Sequence, residues 1–252
     1  SQGCTAYLEA TGSGTFSEHR CFAPLGTVDG FTALAPMFNG DVPLAVFDPL
    51  GTVTAVTPPL FSAAQGYRAV RARSSDGSFL VAWGTGAWES GGSPLDLMIQ
   101  HFGPHGEISG AATLVLSDPV FGMLPGQVAL ATAMAGAVAV WSSSNPLDTA
   151  SSGVLVRALD PDGVPVAAAS RVLGDSALVA ATSIPSGALV VASAGSRISA
   201  FIVSPDGTLH GEVMSMDAAA RVSSLRVVPT PTGALVLYAA ASALWAVPLC
   251  VP

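Results

Sequence analysis

The sequence contains no lysine and few charged residues of any kind. Only 10% of its 252 residues are charged, every basic residue is arginine, and the formal net charge is -8. Nucleic-acid affinity depends on basic side chains that neutralise phosphates, so this balance argues against a nucleic-acid partner. Half of the residues are hydrophobic. A chain of this length can bury one sizeable core as a single domain.

The sequence also has no catalytic or metal-binding signature. His101 and His105 are four residues apart, but they fall on a predicted strand and a hairpin tip, where the helical spacing of metal ligands does not apply. Asp160 and Asp162 lack the remaining ligands of a calcium loop and are turn formers. We therefore predict no metal and no cofactor.

There are only three cysteines, Cys4, Cys21 and Cys250, and they lie near the chain ends. This placement favours a disulfide in an oxidising compartment over a metal site, which needs four clustered ligands. No basic and apolar leader follows Ser1. We expect a secreted protein, extracellular or periplasmic, from which any export signal has been removed.

One stretch raises the question of a membrane span, because residues 119–147 contain no charged side chain. Its apolar part, residues 128–141, is shorter than the ~20 residues that a spanning helix needs. We predict no membrane span.

A Pro-x-Gly pattern recurs along the chain. Proline presets the first corner of a type I turn, and glycine takes the left-handed conformation that closes a bulged hairpin. Each copy therefore predicts a hairpin tip. The four copies are Pro49 and Gly51, Pro104 and Gly106, Pro161 and Gly163, and Pro205 and Gly207.

A second repeated feature is a glycine followed by an aliphatic run, and the first four copies each lie upstream of one of these tips. The five copies begin at Gly30, Gly77, Gly136, Gly187 and Gly233, at successive spacings of 47, 59, 51 and 46 residues. Repeats of ~40 to 50 residues are typical of propeller blades. We predict an all-β fold, a five-bladed β-propeller of four-stranded antiparallel blades in one domain, with blades at residues 17–57, 64–117, 126–170, 177–216 and 220–250 plus 1–11.

The last repeat lacks a fourth strand, and residues 4–10 resemble the outer strand of the fourth repeat. We predict that this N-terminal strand joins the last blade and closes the ring. Aligning residues 243–250 with residues 200–207 places Cys250 at the turn glycine, where it would meet Cys4 in a disulfide. Pairing of Cys4 with Cys21 is the competing alternative.

These repeats resemble those of the β-propeller superfamily, and the Asp-Pro-x-Gly hairpins are similar to those of secreted bacterial propellers. The resemblance covers nearly the whole chain, although the WD40 and Asp-box motifs are missing. It implies a toroid of four-stranded blades around a central channel. It implies no activity, because propellers have many unrelated functions.

Two long loops between second and third strands combine tryptophan with Pro-Leu-Asp. Aromatic faces beside carboxylates and hydroxyls can stack on sugars or hold a peptide. The alternative is that the tryptophans fill blade interfaces and the aspartates cap turns. The candidate ligand-binding residues are Trp88, Glu89, Asp96, Trp141, Asn145 and Asp148.

Arginines occur in the predicted innermost strands of blades two and five. We consider Arg71 and Arg226 as channel residues that bind an anion, and the alternative is that they point to solvent or pair with acids. Their counterparts in other blades are small or apolar, so we expect a narrow, mostly apolar channel.

We expect from this sequence a non-catalytic binding or assembly module that recognises a protein partner, a second copy or a glycan through its loops. The alternative is a carbohydrate-active hydrolase. Its carboxylates would come from Glu89, Asp96, Asp118, Asp148 and Asp175, which the sequence alone cannot place relative to one another.

Overall fold

The structure is a computed structural model, and it shows an all-β chain. Strands and turns account for the regular structure of the described part, which contains no helix and hence none that could span a bilayer. The described residues are 25–27, 29–34, 41–62, 69–73, 76–85, 95–118, 128–133, 136–143, 153–175 and 178–250.

The strands form five antiparallel sheets, which we number as blades one to five. Blade one contains β1 (Leu25–Gly26), β2 (Phe31–Leu34), β4 (Leu44–Phe47) and β5 (Val53–Val56); β3 (Asp41–Val42) pairs with β6 (Phe61–Ser62) beside it. Blade two contains β7 (Ala69–Arg73), β8 (Phe79–Thr85), β9 (Leu95–Phe102) and β10 (Ile108–Asp118). Blade three contains β11 (Val128–Ala133), β12 (Gly136–Ser143), β13 (Gly153–Leu159) and β14 (Ser170–Leu173). Blade four contains β15 (Leu178–Ile184), β16 (Gly187–Ala194), β17 (Arg197–Val203) and β18 (Leu209–Asp217), and blade five contains β19 (Val222–Thr230), β20 (Gly233–Ala240) and β21 (Ala243–Cys250).

The blades pack side by side, and their first strands β7, β11, β15 and β19 contact one another in turn. The inner strands of the middle blades are apolar on both faces because their sheets lie between two others. In β16, Leu189 and Val191 pack toward blade five, whereas Ala188 and Val190 pack toward blade three. This explains why the strands are continuous runs of valine, alanine and leucine and not alternations of apolar and polar residues.

The Pro-x-Gly tips contact the preceding blade. Gly106, Gly163 and Gly207 have φ angles of 91°, 85° and 87°. A Cβ atom on Gly106 would lie 2.6 Å from Val46 Cγ2 in blade one, and one on Gly207 would lie 3.3 Å from Ala158 Cβ in blade three. The glycine therefore serves both the turn and the packing of one blade on the next.

Blade five ends differently from our alignment. The hairpin between β20 and β21 has a two-residue loop, as does the hairpin between β16 and β17 in blade four. Ala243 therefore pairs with Ala240 in the same way that Arg197 pairs with Ala194. Cys250 consequently lies opposite Gly233, at the position of Ser204 and three residues before that of the turn glycine Gly207. The alignment was wrong because no glycine marks this hairpin in the sequence.

Closure of the ring is not part of the described structure. The sheets are separate, and blade five has three strands where the other four have four. Residues 1–11, including Cys4, lie outside the described residues, as does Cys21. Cys250 has a free, exposed thiol. The closing strand and the disulfide stay predictions.

Candidate functional site

The candidate site lies on the loop face, the end of the blades at which each second strand passes to the third. The opposite end, with the Pro-x-Gly turns, is the tip face. Asp96 begins β9 on the loop face and lies between Thr85 of β8 and Ser117 of β10 in the strand register.

The side chain of Asp96 is directed toward blade one. In β9, Met98 and Phe102 pack with Leu34 and Leu44 in an apolar cluster between blades one and two, which we call the one-two cluster. Leu97 and Ile99 instead pack toward blade three. Because side chains alternate along a strand, Asp96 shares the face of Met98.

Asp96 has an unusual environment for a carboxylate. Its Oδ1 atom is buried and has no hydrogen-bond partner in the described part of the chain. An acceptor left unsatisfied in this way costs about 1 to 3 kcal/mol of stability, and more when charged. A bound hydroxyl or amide donor would relieve this cost.

Other aspartates of the chain have structural roles that Asp96 lacks. Asp48 accepts backbone N–H bonds from Leu50 at 2.9 Å and Thr52 at 2.8 Å, and Asp160 accepts the equivalent pair. Asp206 accepts from the Thr208 N–H at 2.9 Å. These carboxylates stabilise hairpin tips. The loop that Asp96 would cap, residues 86–94, lies outside the described residues, so the turn-capping alternative stays a prediction.

Hydrogen bonds also account for the titration of two of these turn carboxylates. The Ser78 hydroxyl, followed by its N–H, holds the pKa of Asp76 below its ordinary value. The Thr208 N–H, followed by its hydroxyl, lowers the pKa of Asp206 in the same way. Both groups stay charged near neutral pH, which suits a structural role.

Trp141 does not lie open to a ligand. It is 1% exposed and packs in the cluster between blades two and three. The prediction that its ring face binds a ligand is therefore wrong, and the alternative that it fills a blade interface describes its position. The sequence around a tryptophan at a strand end does not indicate whether its ring is buried or exposed.

Four further candidates, Trp88, Glu89, Asn145 and Asp148, lie outside the described residues. The two channel candidates are on first strands, Arg71 in β7 and Arg226 in β19. Arg226 is exposed, and its Nη1 donates to the Leu225 carbonyl at 3.0 Å. Anion binding in the channel stays a prediction.

The described first strands contain no acidic residue. This holds for β1, β7, β11, β15 and β19. Within these strands nothing near the blade centre can supply a carboxylate.

The two histidines considered as metal ligands lie toward the tip face. His105 pairs with Asp29 of blade one, and His101 Nδ1 lies 3.8 Å from Asp162 Oδ1 of blade three. They contact different carboxylates across different blade interfaces. No three side chains among the described residues are grouped as a metal site.

A second loop-face carboxylate, Asp41 of β3, was not among the predicted site residues. Val42 beside it is fully buried in the one-two cluster. The Val42 carbonyl accepts from the Leu60 N–H at 3.0 Å, and the Leu44 N–H donates to Thr57 Oγ1 at 2.9 Å. The segment that carries Asp41 is thus held against Leu60 and Thr57 of blade one, and since Val42 faces blade two, Asp41 faces the other side of its strand.

No family model and no curated protein sequence matches the chain. Among the solved structures that are similar to it are the following three. The Dos1 propeller is 15% identical, with a TM-score of 0.49, over 87% of this chain and 53% of that one. An α-L-arabinofuranosidase from Lactobacillus brevis is 10% identical, with a TM-score of 0.47, over 85% and 81%. The SapL1 lectin is 12% identical, with a TM-score of 0.39, over 91% and 95%.

These likenesses concern the fold, which is all-β and propeller-like. They also correct our functional prediction of a non-catalytic module without enzyme activity. Several similar structures are described as glycoside hydrolases or glycosidases, including a thermostable family-43 enzyme, and these descriptions agree with the alternative. Because identity is low, the alternative is argued below from the residues of this chain.

Proposed function

We propose that this chain is a carbohydrate-active hydrolase whose acid and base groups lie on the loop face and include Asp96. The observation that carries the proposal is the buried Oδ1 atom of Asp96, which has no hydrogen-bond partner in the described part of the chain. A carboxyl oxygen that accepts no hydrogen bond from the described residues can accept one from a substrate. Glycoside hydrolysis needs such groups on either side of the scissile bond.

The surroundings of Asp96 suit this chemistry. The carboxylate lies at the rim of the one-two cluster, with buried Trp83 and half-buried Met98 below it. An apolar floor excludes water and strengthens the electrostatic interactions of a group at its edge. Glu89 and Asp148, in the adjoining loops by sequence, remain proposed members of the site.

The test is turnover of 4-nitrophenyl pyranosides and furanosides and of polysaccharides by the purified protein. We expect hydrolysis of at least one substrate, with kcat reduced about 10²- to 10⁴-fold in Asp96→Asn. Asp206→Asn removes a carboxylate from the tip face and should leave turnover unchanged. Full activity of Asp96→Asn on the same substrate would overturn the assignment.

We also infer that residues 4–10 complete blade five and close the ring. Blade five is one strand short, and Leu244 and Trp245 of its last strand are 76% and 46% exposed. An additional strand would pair the free edge of β21. Self-association through this surface is the competing arrangement, and light scattering separates the two.

The closing disulfide between Cys4 and Cys250 and a secreted or periplasmic location form part of the same proposal. Cys250 is free and exposed in the structure, so its thiol is accessible to a partner cysteine. Non-reducing peptide mapping should yield a fragment that joins the two termini. A fragment that links Cys4 to Cys21 would contradict the pairing.

A further inference from the structure

Arg157 in β13 of blade three is a half-buried cation whose partners are neutral. Its Nε atom donates to the Ala167 carbonyl at 2.9 Å, and its Nη1 atom donates to the Val115 carbonyl of blade two. Among the described residues no carboxylate forms an ion pair with it, whereas Arg197 of blade four lies 3.8 Å from Glu212. A guanidinium group has five N–H donors and stays charged. Arg157 therefore keeps donors and an uncompensated charge for an anion.

Arg171 in β14 lies beside Arg157 on the same face of blade three. It pairs with Leu155 of β13, and Arg157 is two residues further along β13 from Leu155. Leu155 and Leu159 pack toward blade two, so side-chain alternation directs both arginines to that side. Diagonal neighbours on two strands have Cα atoms about 7 to 8 Å apart, a distance that long side chains span. The two guanidinium groups can therefore reach one ligand.

The surroundings leave this pair open to solvent. Arg171 is exposed and has no hydrogen bond or ion pair in the part of the chain that the structure describes. The segment that follows β13 on its outer side, residues 167–169, consists of three alanines, whose side chains are too short to cover a guanidinium group. The pair thus lies at the outer rim of the interface between blades two and three.

We propose that Arg157 and Arg171 form a binding site for a single oxyanion group, namely a carboxylate, a sulfate or a phosphate. Guanidinium groups bind such oxygens through paired, charge-assisted hydrogen bonds. The site does not include Asp96, and it is independent of the proposed hydrolase function. The oxyanion is either a free ion or the charged substituent of an acidic sugar, since both present the same oxygens to the two arginines.

The charge of the whole protein determines the size of the ligand. The chain has 17 aspartates and glutamates against 9 arginines, and its net charge is -8. A long polyanion would extend over this acidic surface and be repelled by it. A single group contacts only the arginine pair, because charges more than about 8 Å away are largely screened at physiological salt. The site therefore favours a small ligand over a polyanion.

Calorimetric titration of the purified protein with sodium sulfate, sodium phosphate and sodium glucuronate tests the site, at an ionic strength of about 0.15 M set with sodium chloride. We expect the wild-type protein to bind at least one of the three. Arg171→Gln should bind that ion at least ~10-fold more weakly, because a hydrogen bond to a charged group is lost. Arg171→Lys keeps the charge without the planar fork and should fall between the two. Arg221→Gln is the matched control, since Arg221 is an exposed arginine in the connection between β18 and β19.

The choice of Arg171 separates binding from a structural role. Arg157 joins two blades through backbone carbonyls, whereas Arg171 has no such contact, so Arg171→Gln should unfold at the wild-type temperature. Tightest binding of glucuronate would assign the site to an acidic sugar, and tightest binding of sulfate or phosphate would assign it to a free or ester-linked ion. Equal affinity of the wild-type protein and Arg171→Gln, or no binding of any of the three ions, would overturn the inference. An equal loss in Arg221→Gln, or tighter binding of a heparin fragment than of the single ions, would also overturn it.

Discussion

Gly163 at the tip of blade three lies directly against Ile99 of blade two. A Cβ atom added to Gly163 would be 2.8 Å from Ile99 Cγ2, closer than side chains pack, and Gly163 has a φ of 85°. The contact repeats between other neighbouring blades through Gly106 and Gly207. The turn residue thus determines how closely successive blades approach each other.

Gly163→Ala should lower the free energy of unfolding by about 2 to 4 kcal/mol, because it adds left-handed strain to a clash with Ile99. Gly211→Ala is the matched control. Gly211 has the same φ of 85° but nothing within 4 Å of an added Cβ. It should lose only the strain, about 1 to 2 kcal/mol. If Gly163→Ala and Gly211→Ala lower the free energy of unfolding in urea by the same amount, the contact between Gly163 and Ile99 contributes nothing to stability.

The last hairpin is strained and can be improved. Ala241 and Ser242 have φ angles of 51° and 63° in a two-residue loop where Asn-Gly is favoured. The double change Ala241→Asn and Ser242→Gly should raise stability by about 1 to 2 kcal/mol, or several degrees in Tm. Ser242→Ala alone keeps the strain and should bring no gain. An unchanged Tm in the double variant would contradict the strain.

Gln100 secures a bulge in the outer strand of blade two. It is 5% exposed, and its Nε2 donates to the carbonyls of Ser109 at 2.9 Å, His101 at 3.1 Å and Gly110 at 3.3 Å. Gln100→Met keeps the volume but removes the donors and should cost about 1 to 3 kcal/mol. Gln100→Glu should cost at least as much, since a carboxylate faces carbonyl oxygens. Wild-type stability in both variants would contradict this role.

Stability should fall in acid partly through Asp76. Its pKa is lowered in the folded state, so its contribution is complete above the ordinary value of 3.8 and is lost as pH falls through the folded value. Ser78→Ala removes the hydroxyl bond and should destabilise the protein more at pH 6 than at pH 3. Asp76→Asn should abolish that difference. Denaturant unfolding at both pH values measures it.

Local turn chemistry explains what the sequence could predict. Proline fixes φ and glycine alone readily takes the left-handed conformation, so a Pro-x-Gly sequence predicts a hairpin tip and the strands on either side of it. The hairpin at Ala241 and Ser242 has neither residue, and the alignment of β21 was therefore three residues out. In such a run of apolar residues no side chain marks the register.

The site was only partly predictable for a different reason. Asp96 stood out beside Trp83 and a Pro-Leu-Asp sequence, but Trp141 proved to be a core residue. Burial and the facing of blades depend on contacts between distant parts of the chain, which a local pattern does not contain.

The most direct test of the account is the kcat of wild-type protein and Asp96→Asn on the same neutral glycoside. The account predicts measurable hydrolysis by the wild-type protein and a loss of about 10²- to 10⁴-fold in the variant, with unchanged thermal unfolding. Equal kcat in the two proteins would contradict the claim that the loop-face carboxylate Asp96 takes part in the chemistry.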